Sequence, residues 1–138
     1  MKVAVKWKGG RVFEGAAAGG HKVVMAGAPG AGERDEGVRP MEMLLLGLGG
    51  CASYDVVHIL EKGRQKVTAC EVGVEAERAG QDPKVFTRIH LTFRIRGENL
   101  DEAKAGRAVS LSAEKYCSAS VMLARTAEIT HQVIVEEG

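Results

Sequence analysis

The stretch Pro40–Leu60, PMEMLLLGLGGCASYDVVHIL, decides how this chain folds. Pro40 suits the first position of a helix, where its missing N–H costs nothing and its φ is already helical. Leu44, Leu45, Leu48, Ala52, Val56, Ile59 and Leu60 then recur at spacings of three and four, which predicts a helix. Gly63 supplies an end signal just beyond. From Met43 to Ala52 this helix is apolar on nearly every side, so it is expected to be covered on several sides. Cys51 sits in its middle, behind Gly47, Gly49 and Gly50. Each such glycine weakens a helix interior by about 0.8–1 kcal/mol relative to alanine. The loss makes sense where another backbone, or a substrate, comes close to the cysteine.

Working back towards the N-terminus, Lys2–Trp7 alternates Val3, Val5 and Trp7 with Lys2, Ala4 and Lys6, the pattern of a half-buried strand. Lys8-Gly9-Gly10 turns the chain, Arg11–Glu14 returns it, and Gly19-Gly20 leads into a third strand over His21–Met25. These three form a meander. Ala26–Gly37, rich in Gly, Ala and charge, reads as a surface loop long enough to have a functional or connecting role.

Beyond Gly63, Val67–Glu77 alternates, with Cys70, Val72, Val74 and Ala76 on one face. A hairpin loop over Ala79–Lys84 leads to Val85–Arg96, whose apolar face is Val85, Ile89, Leu91, Phe93 and Ile95. Asn99 is the expected cap of a second helix running to about Tyr116, with Ala105, Ala108, Val109 and Leu111 inward. Cys117 ends it, a further turn or two continues to Leu123, and Ile129–Val135 closes the chain as a strand. The order β-β-β-α-β-β-α-β predicts an α+β fold with mostly antiparallel pairing. One sheet covers only one face of the Pro40–Leu60 helix. A second copy is the simplest source of further cover, so the expected assembly is an intertwined homodimer with antiparallel sheets wrapped around central helices.

A length of 138 residues predicts a single domain, 1–138, or one domain with pieces swapped in an oligomer. Aromatic residues are only 4% of the chain, so the core must be aliphatic. The formal net charge of +1 gives no reason to expect nucleic acid or an anionic membrane as partner. The N-terminal MKVAVKWKGG lacks the apolar core of a signal peptide. The uncharged apolar run Met43–Tyr54 is too short to cross a bilayer core of about 30 Å. Three cysteines form neither a CxxC pair nor a zinc framework, the pattern of free or catalytic thiols in a cytoplasmic protein.

Cys51 and Cys117 are the leading chemical candidates. On an apolar helix a cysteine is ordinarily an inert small hydrophobe, and the glycines beside Cys51 argue for more. Cys70 alternates with Val72 and Val74 and reads as core. Asp55, one turn after Cys51, would oppose thiolate formation if left unpaired, so it is expected to be exposed or paired. His58 lies two turns from Cys51, yet the ligands for a Cys–His zinc site cannot be assembled. His21 and His90 are expected in solvent and His131 in the core or an interface. No Ser/His/Asp order or phosphate loop is present.

PMEMLLLGLGGCASYDVV, with SAEKYCSASVML well downstream and EITHQVIVEE at the end, resembles the OsmC/Ohr family: osmotically inducible protein C and the organic hydroperoxide resistance proteins. The likeness covers nearly the whole chain and is greatest to a less characterised OsmC-like branch. It implies a thiol peroxidase without metal, flavin or other cofactor, active in oxidative-stress defence on organic hydroperoxides. By that resemblance Cys51 attacks the peroxide and becomes a sulfenic acid, Cys117 condenses with it to a disulfide, and an external dithiol such as a lipoyl group reopens it. The peroxidase branches use an arginine from a turn near the N-terminus, and KGGR places Arg11 there. They also place a glutamate directly after the proline, where this chain has Met41 and then Glu42. Arg39 and Arg34 are further candidates for the activating charge. The alternative is a ligand-binding or regulatory OsmC-like dimer that takes a small apolar molecule and lacks fast peroxidase chemistry.

Overall fold

The computed structural model describes residues 1–138, and the chain resolves into two compact units, Met1–Leu45 and Leu46–Gly138.

In the first unit the predicted meander is present. β1 (Val3–Gly9), β2 (Val12–Ala17) and β3 (Lys22–Ala26) pair antiparallel in the order β1-β2-β3. Each strand runs a little beyond its predicted C-terminal end. Gly9 and Gly10 take φ values of 103° and 55° in the first turn, a region glycine enters without strain. Val3, Val5 and Trp7 project from one face of β1 and are 74%, 60% and 65% exposed. The loop after β3 returns along the sheet edge, where Val38 bridges Met25 in parallel fashion. A side chain at position 37 would lie 2.7 Å from the Val24 carbonyl oxygen, which explains Gly37. Arg39 then holds the start of α1 (Pro40–Lys62): its guanidinium donates to the carbonyls of Ala26 (3.0 Å), Gly37 (2.8 Å) and Gly27 and pairs with Asp35.

The second unit takes α1 from Leu46 onward, followed by β4 (Lys66–Arg78) and β5 (Phe86–Glu98). Then come α2 (Glu102–Leu111), a wide π-type turn (Ser112–Tyr116), α3 (Ser118–Leu123) and β6 (Glu128–Glu137). The sheet order is β4-β5-β6. β4 and β5 pair antiparallel, whereas β6 lies parallel to β5, so one of the four pairings departs from the antiparallel expectation. A parallel neighbour needs a long crossover, and α2, the π turn and α3 provide it.

Leu48, Ala52, Val56 and Leu60 of α1, Ile89, Leu91, Phe93 and Ile95 of β5, and Ala105, Ala108 and Val109 of α2 are buried. Gly49 shows why one of the helix glycines is there: an added Cβ would sit 3.3 Å from a Val72 methyl and 3.4 Å from one of Val74. The opposite stripe is bare. Leu46, Gly47, Gly50, Tyr54 and His58 are exposed, with Tyr54 at 73%. Within one chain the helix is therefore buried along one face, not on several sides. Taken whole, α1 is long and apolar enough to cross a membrane, unlike the run Met43–Tyr54 alone, though a core helix of a soluble protein meets the same criterion.

Three local expectations need correction. Asn99 does not cap α2; Asp101 does, its carboxylate accepting the N–H groups of Ala103 (2.9 Å) and Lys104 (3.2 Å). Asn99 has φ 50°, so it turns the chain two residues earlier instead. Val85 is outside β5 and exposed, while Phe86 is buried, because a bulge pairs Arg78 with Phe86 directly after Glu77 with Arg88. The helix predicted to reach Tyr116 loses α-geometry after Leu111 and continues as the π turn.

Candidate active site

Cys51 is carried on α1 one residue before the buried Ala52 and is itself half-buried. Cys117 comes from the far end of the crossover. Its N–H donates to the Ser112 carbonyl at 2.8 Å, closing the π turn, and its backbone then becomes extended, with φ −78° and ψ 103°. That makes Cys117 the N-cap of α3, and its Sγ accepts the Ser120 N–H at 3.4 Å. The residue is fully buried.

These two elements bring three side chains together. The sulfurs of Cys51 and Cys117 and a carboxylate oxygen of Asp55 all lie within 4.8 Å of one another. Cys51 and Asp55 are one turn apart on α1 and share a face. The hydroxyl of buried Ser112 lies 3.2 Å from the Ala52 carbonyl oxygen and 3.4 Å from Asp55 Oδ2. It carries one proton, and the shorter contact to Ala52 is the better acceptor. Of the two expected settings, exposed or paired, Asp55 is not exposed: it is half-buried beside two thiols, with the Ser112 hydroxyl as its polar neighbour.

Burial pushes the Cys117 thiol above its ordinary range; the Ser120 contact pulls it down, and the neighbouring Cys51 raises it further. Burial also raises the thiol of Cys70, which a contact with Ser53 partly offsets. All three cysteines are free. A disulfide has S–S of about 2.05 Å, so the Cys51 and Cys117 sulfurs, within 4.8 Å of each other, are near but not bonded.

The other candidates have partners of their own. Arg11 pairs with Glu33. Glu42 Oε1 accepts the N–H of Arg39 at 2.8 Å and lies 3.6 Å from its Nε, so this arginine and glutamate are brought together at the helix start. Arg34 is exposed. His58 stacks on Tyr54 with ring centroids 6.1 Å apart, outside the thiol cluster. His90 is not free in solvent: Nδ1 meets Thr130 Oγ1 at 2.7 Å and Nε2 meets Gln132 Oε1 at 3.3 Å. His21 is exposed, and His131 is half-buried opposite Leu91. Sequence reasoning missed Ser112. Its one signal is a small hydroxyl residue one turn beyond Ala108, on the inward side of the stretch that reads as the second helix.

Comparison with known proteins bears on the family and the fold. The family model for OsmC-like protein matches residues 32–132. Protein YhfA of Escherichia coli (strain K12) is 47% identical over 131 residues, covering 95% of each chain. A hypothetical protein from Aquifex aeolicus superposes with a TM-score of 0.81 at 28% identity over 98% of this chain and 96% of that one. The organic hydroperoxide resistance protein OhrB of Bacillus subtilis shares the fold, with a TM-score of 0.67 and 18% identity over 96% of each chain.

Proposed function

This chain belongs to the family of OsmC-like proteins, and from that membership and its paired thiols we propose that it is a cysteine-based hydroperoxide reductase acting in peroxide defence. The observation that carries the reading is the approach of Cys51 and Cys117, far apart in sequence, to within 4.8 Å. The fold shared with an organic hydroperoxide resistance protein supports the choice of oxidant.

The Cys51 thiolate attacks one oxygen of an organic hydroperoxide. The O–O bond breaks, the alkoxide leaves and takes a proton to become the alcohol, and sulfur is oxidised to the sulfenic acid. The Cys117 sulfur then attacks the sulfenic sulfur and hydroxide leaves as water. An external dithiol, of which a lipoyl group is one example, restores both thiols by exchange and is itself oxidised. Cys117 is the buried member, so the half-exposed Cys51 is the one that peroxide meets first. Arg11, Arg39 and Glu42 are retained as candidates for assisting the thiolate, each to be tested by substitution.

The active form is proposed to be a cytoplasmic homodimer. Bare apolar surface on each unit favours it: Val3, Val5 and Trp7 in the first, Leu46 and Tyr54 in the second.

One observation favours a second reading, a ligand-binding or regulatory dimer with slow thiol chemistry. Met41 stands directly after Pro40, where the peroxidase branches place a glutamate, and Glu42 is engaged by the N–H of Arg39. One experiment separates the two: reduced protein is mixed with one equivalent of cumene hydroperoxide, free thiols are followed in time, and disulfides are mapped by peptide mass. Rapid loss of two thiols per chain, joined as Cys51–Cys117 and abolished in Cys51→Ser, is expected. Slow or unselective oxidation would reject the peroxidase.

A further inference from the structure

The sequence offers no metal framework, yet the fold assembles a donor set. We propose that the reduced protein binds one divalent cation of the zinc class through Cys51 Sγ, Cys117 Sγ and the Asp55 carboxylate.

Three features argue for it. First, the three donor atoms lie within 4.8 Å of one another without any metal to gather them. With Zn–S of about 2.3 Å and Zn–O of about 2.0–2.2 Å, a tetrahedral ion holds its donors roughly 3.5–3.8 Å apart. The widest gap need close by little more than an ångström. Second, Cys51 and Asp55 stand four residues apart on α1, the spacing at which two helical side chains chelate one ion. The third donor comes from another element, the N-cap of α3, which fixes it independently. Third, the surroundings are those of a ligand sphere. The Asp55 carboxylate is half-buried, and the wholly buried Ser112 hydroxyl stands 3.4 Å from its Oδ2.

The donors also select the ion. Two thiolates favour zinc or cadmium over magnesium or calcium. Three protein ligands leave a fourth position for water, as in exchangeable rather than closed zinc sites. Metal and disulfide exclude each other, because the disulfide consumes both sulfurs.

The test needs no peroxide, so it stands or falls apart from the peroxidase reading. Reduced, metal-free protein is titrated anaerobically with Co²⁺, and thiolate-to-cobalt charge transfer and the tetrahedral d–d bands are recorded. Zn²⁺ affinity is then measured against a chromophoric chelator. Expected are one ion per chain with a thiolate spectrum, at least tenfold weaker Zn²⁺ binding in Asp55→Asn and in Cys117→Ser, and unchanged binding in Cys70→Ser. Thermal unfolding confirms that each variant is folded, and the near-isosteric Asp55→Asn serves if Cys117→Ser is not. No thiolate spectrum at stoichiometric Co²⁺ would overturn the proposal. So would binding that both Asp55→Asn and Cys117→Ser leave intact, since the ion would then lie elsewhere.

Discussion

The hydroxyl of Ser112 lies 3.2 Å from the carbonyl oxygen of Ala52, joining the π turn to the helix that carries Cys51. The contact is buried and spans the two elements that supply the paired thiols. Ser112→Ala is expected to cost about 1 kcal/mol, the net worth of one neutral hydrogen bond. It should also slow disulfide formation more than the first oxidation of Cys51, because it loosens the approach of the two sulfurs. Urea unfolding reads the first effect, and stopped-flow thiol and sulfenic acid trapping the second.

The thiols make stability depend on alkaline pH. Burial raises Cys117 and Cys70 above the ordinary value, so the unfolded chain deprotonates first as pH rises. Their contribution is complete below about pH 8.5 and is lost as pH climbs through the raised folded values. The urea midpoint of the reduced protein should fall over that range, and less steeply in Cys70→Ser. Iodoacetamide should modify Cys117 slowly at pH 7 and faster above about pH 9.

Arg39 ties the loop and the helix start together through the Ala26, Gly27 and Gly37 carbonyls, Asp35 and Glu42. Arg39→Ala is expected to destabilise the protein by about 2 kcal/mol, since several charge-assisted hydrogen bonds go at once. Arg39→Lys should recover only part, because an ammonium cannot fill a planar fork. Glu42→Gln, which still accepts the Arg39 N–H, should cost less than about 0.5 kcal/mol. Chemical denaturation of the three variants checks the order.

How much of this was legible beforehand follows from which forces are local. Alternation in β1, β4 and β5 and the three-four spacing of Leu48, Ala52, Val56 and Leu60 are short-range patterns, and they placed the strands and α1. The Cys51–Cys117 pairing came from the family resemblance, and no local pattern carries it. Asp101 rather than Asn99 caps α2, because either residue type suits a cap and only the backbone chooses: Asn99 is taken up by a positive-φ turn. The bulge that swaps Val85 for Phe86 depends on how β4 and β5 align, which alternation within one strand does not show. Asp55 next to the thiols was visible as a helix neighbour of Cys51, but its closeness to Cys117 is a tertiary fact.

The bare stripe on α1 makes a prediction about assembly. Tyr54 is 73% exposed beside the open backbone of Gly50, where an added side chain would meet nothing within 4 Å. Tyr54→Asp is expected to shift the sedimentation coefficient from dimer to monomer at micromolar concentration while leaving the far-ultraviolet circular dichroism of the chain unchanged. A monomeric parent protein would refute the dimer outright.

The π turn at Ser112–Tyr116 has a consequence for how this site can be inherited. An α-helix advances 3.6 residues per turn, so one residue more or less rotates everything beyond it by about 100°. The direction in which Cys117 points is therefore set by arithmetic along the chain as much as by its own chemistry. A single-codon deletion within SAEKY would change no functional side chain if it removed Ala113, yet it would swing the second thiol a quarter-turn away from Cys51. The number of residues in this turn therefore bears on the site as directly as the identity of Ser112 within it.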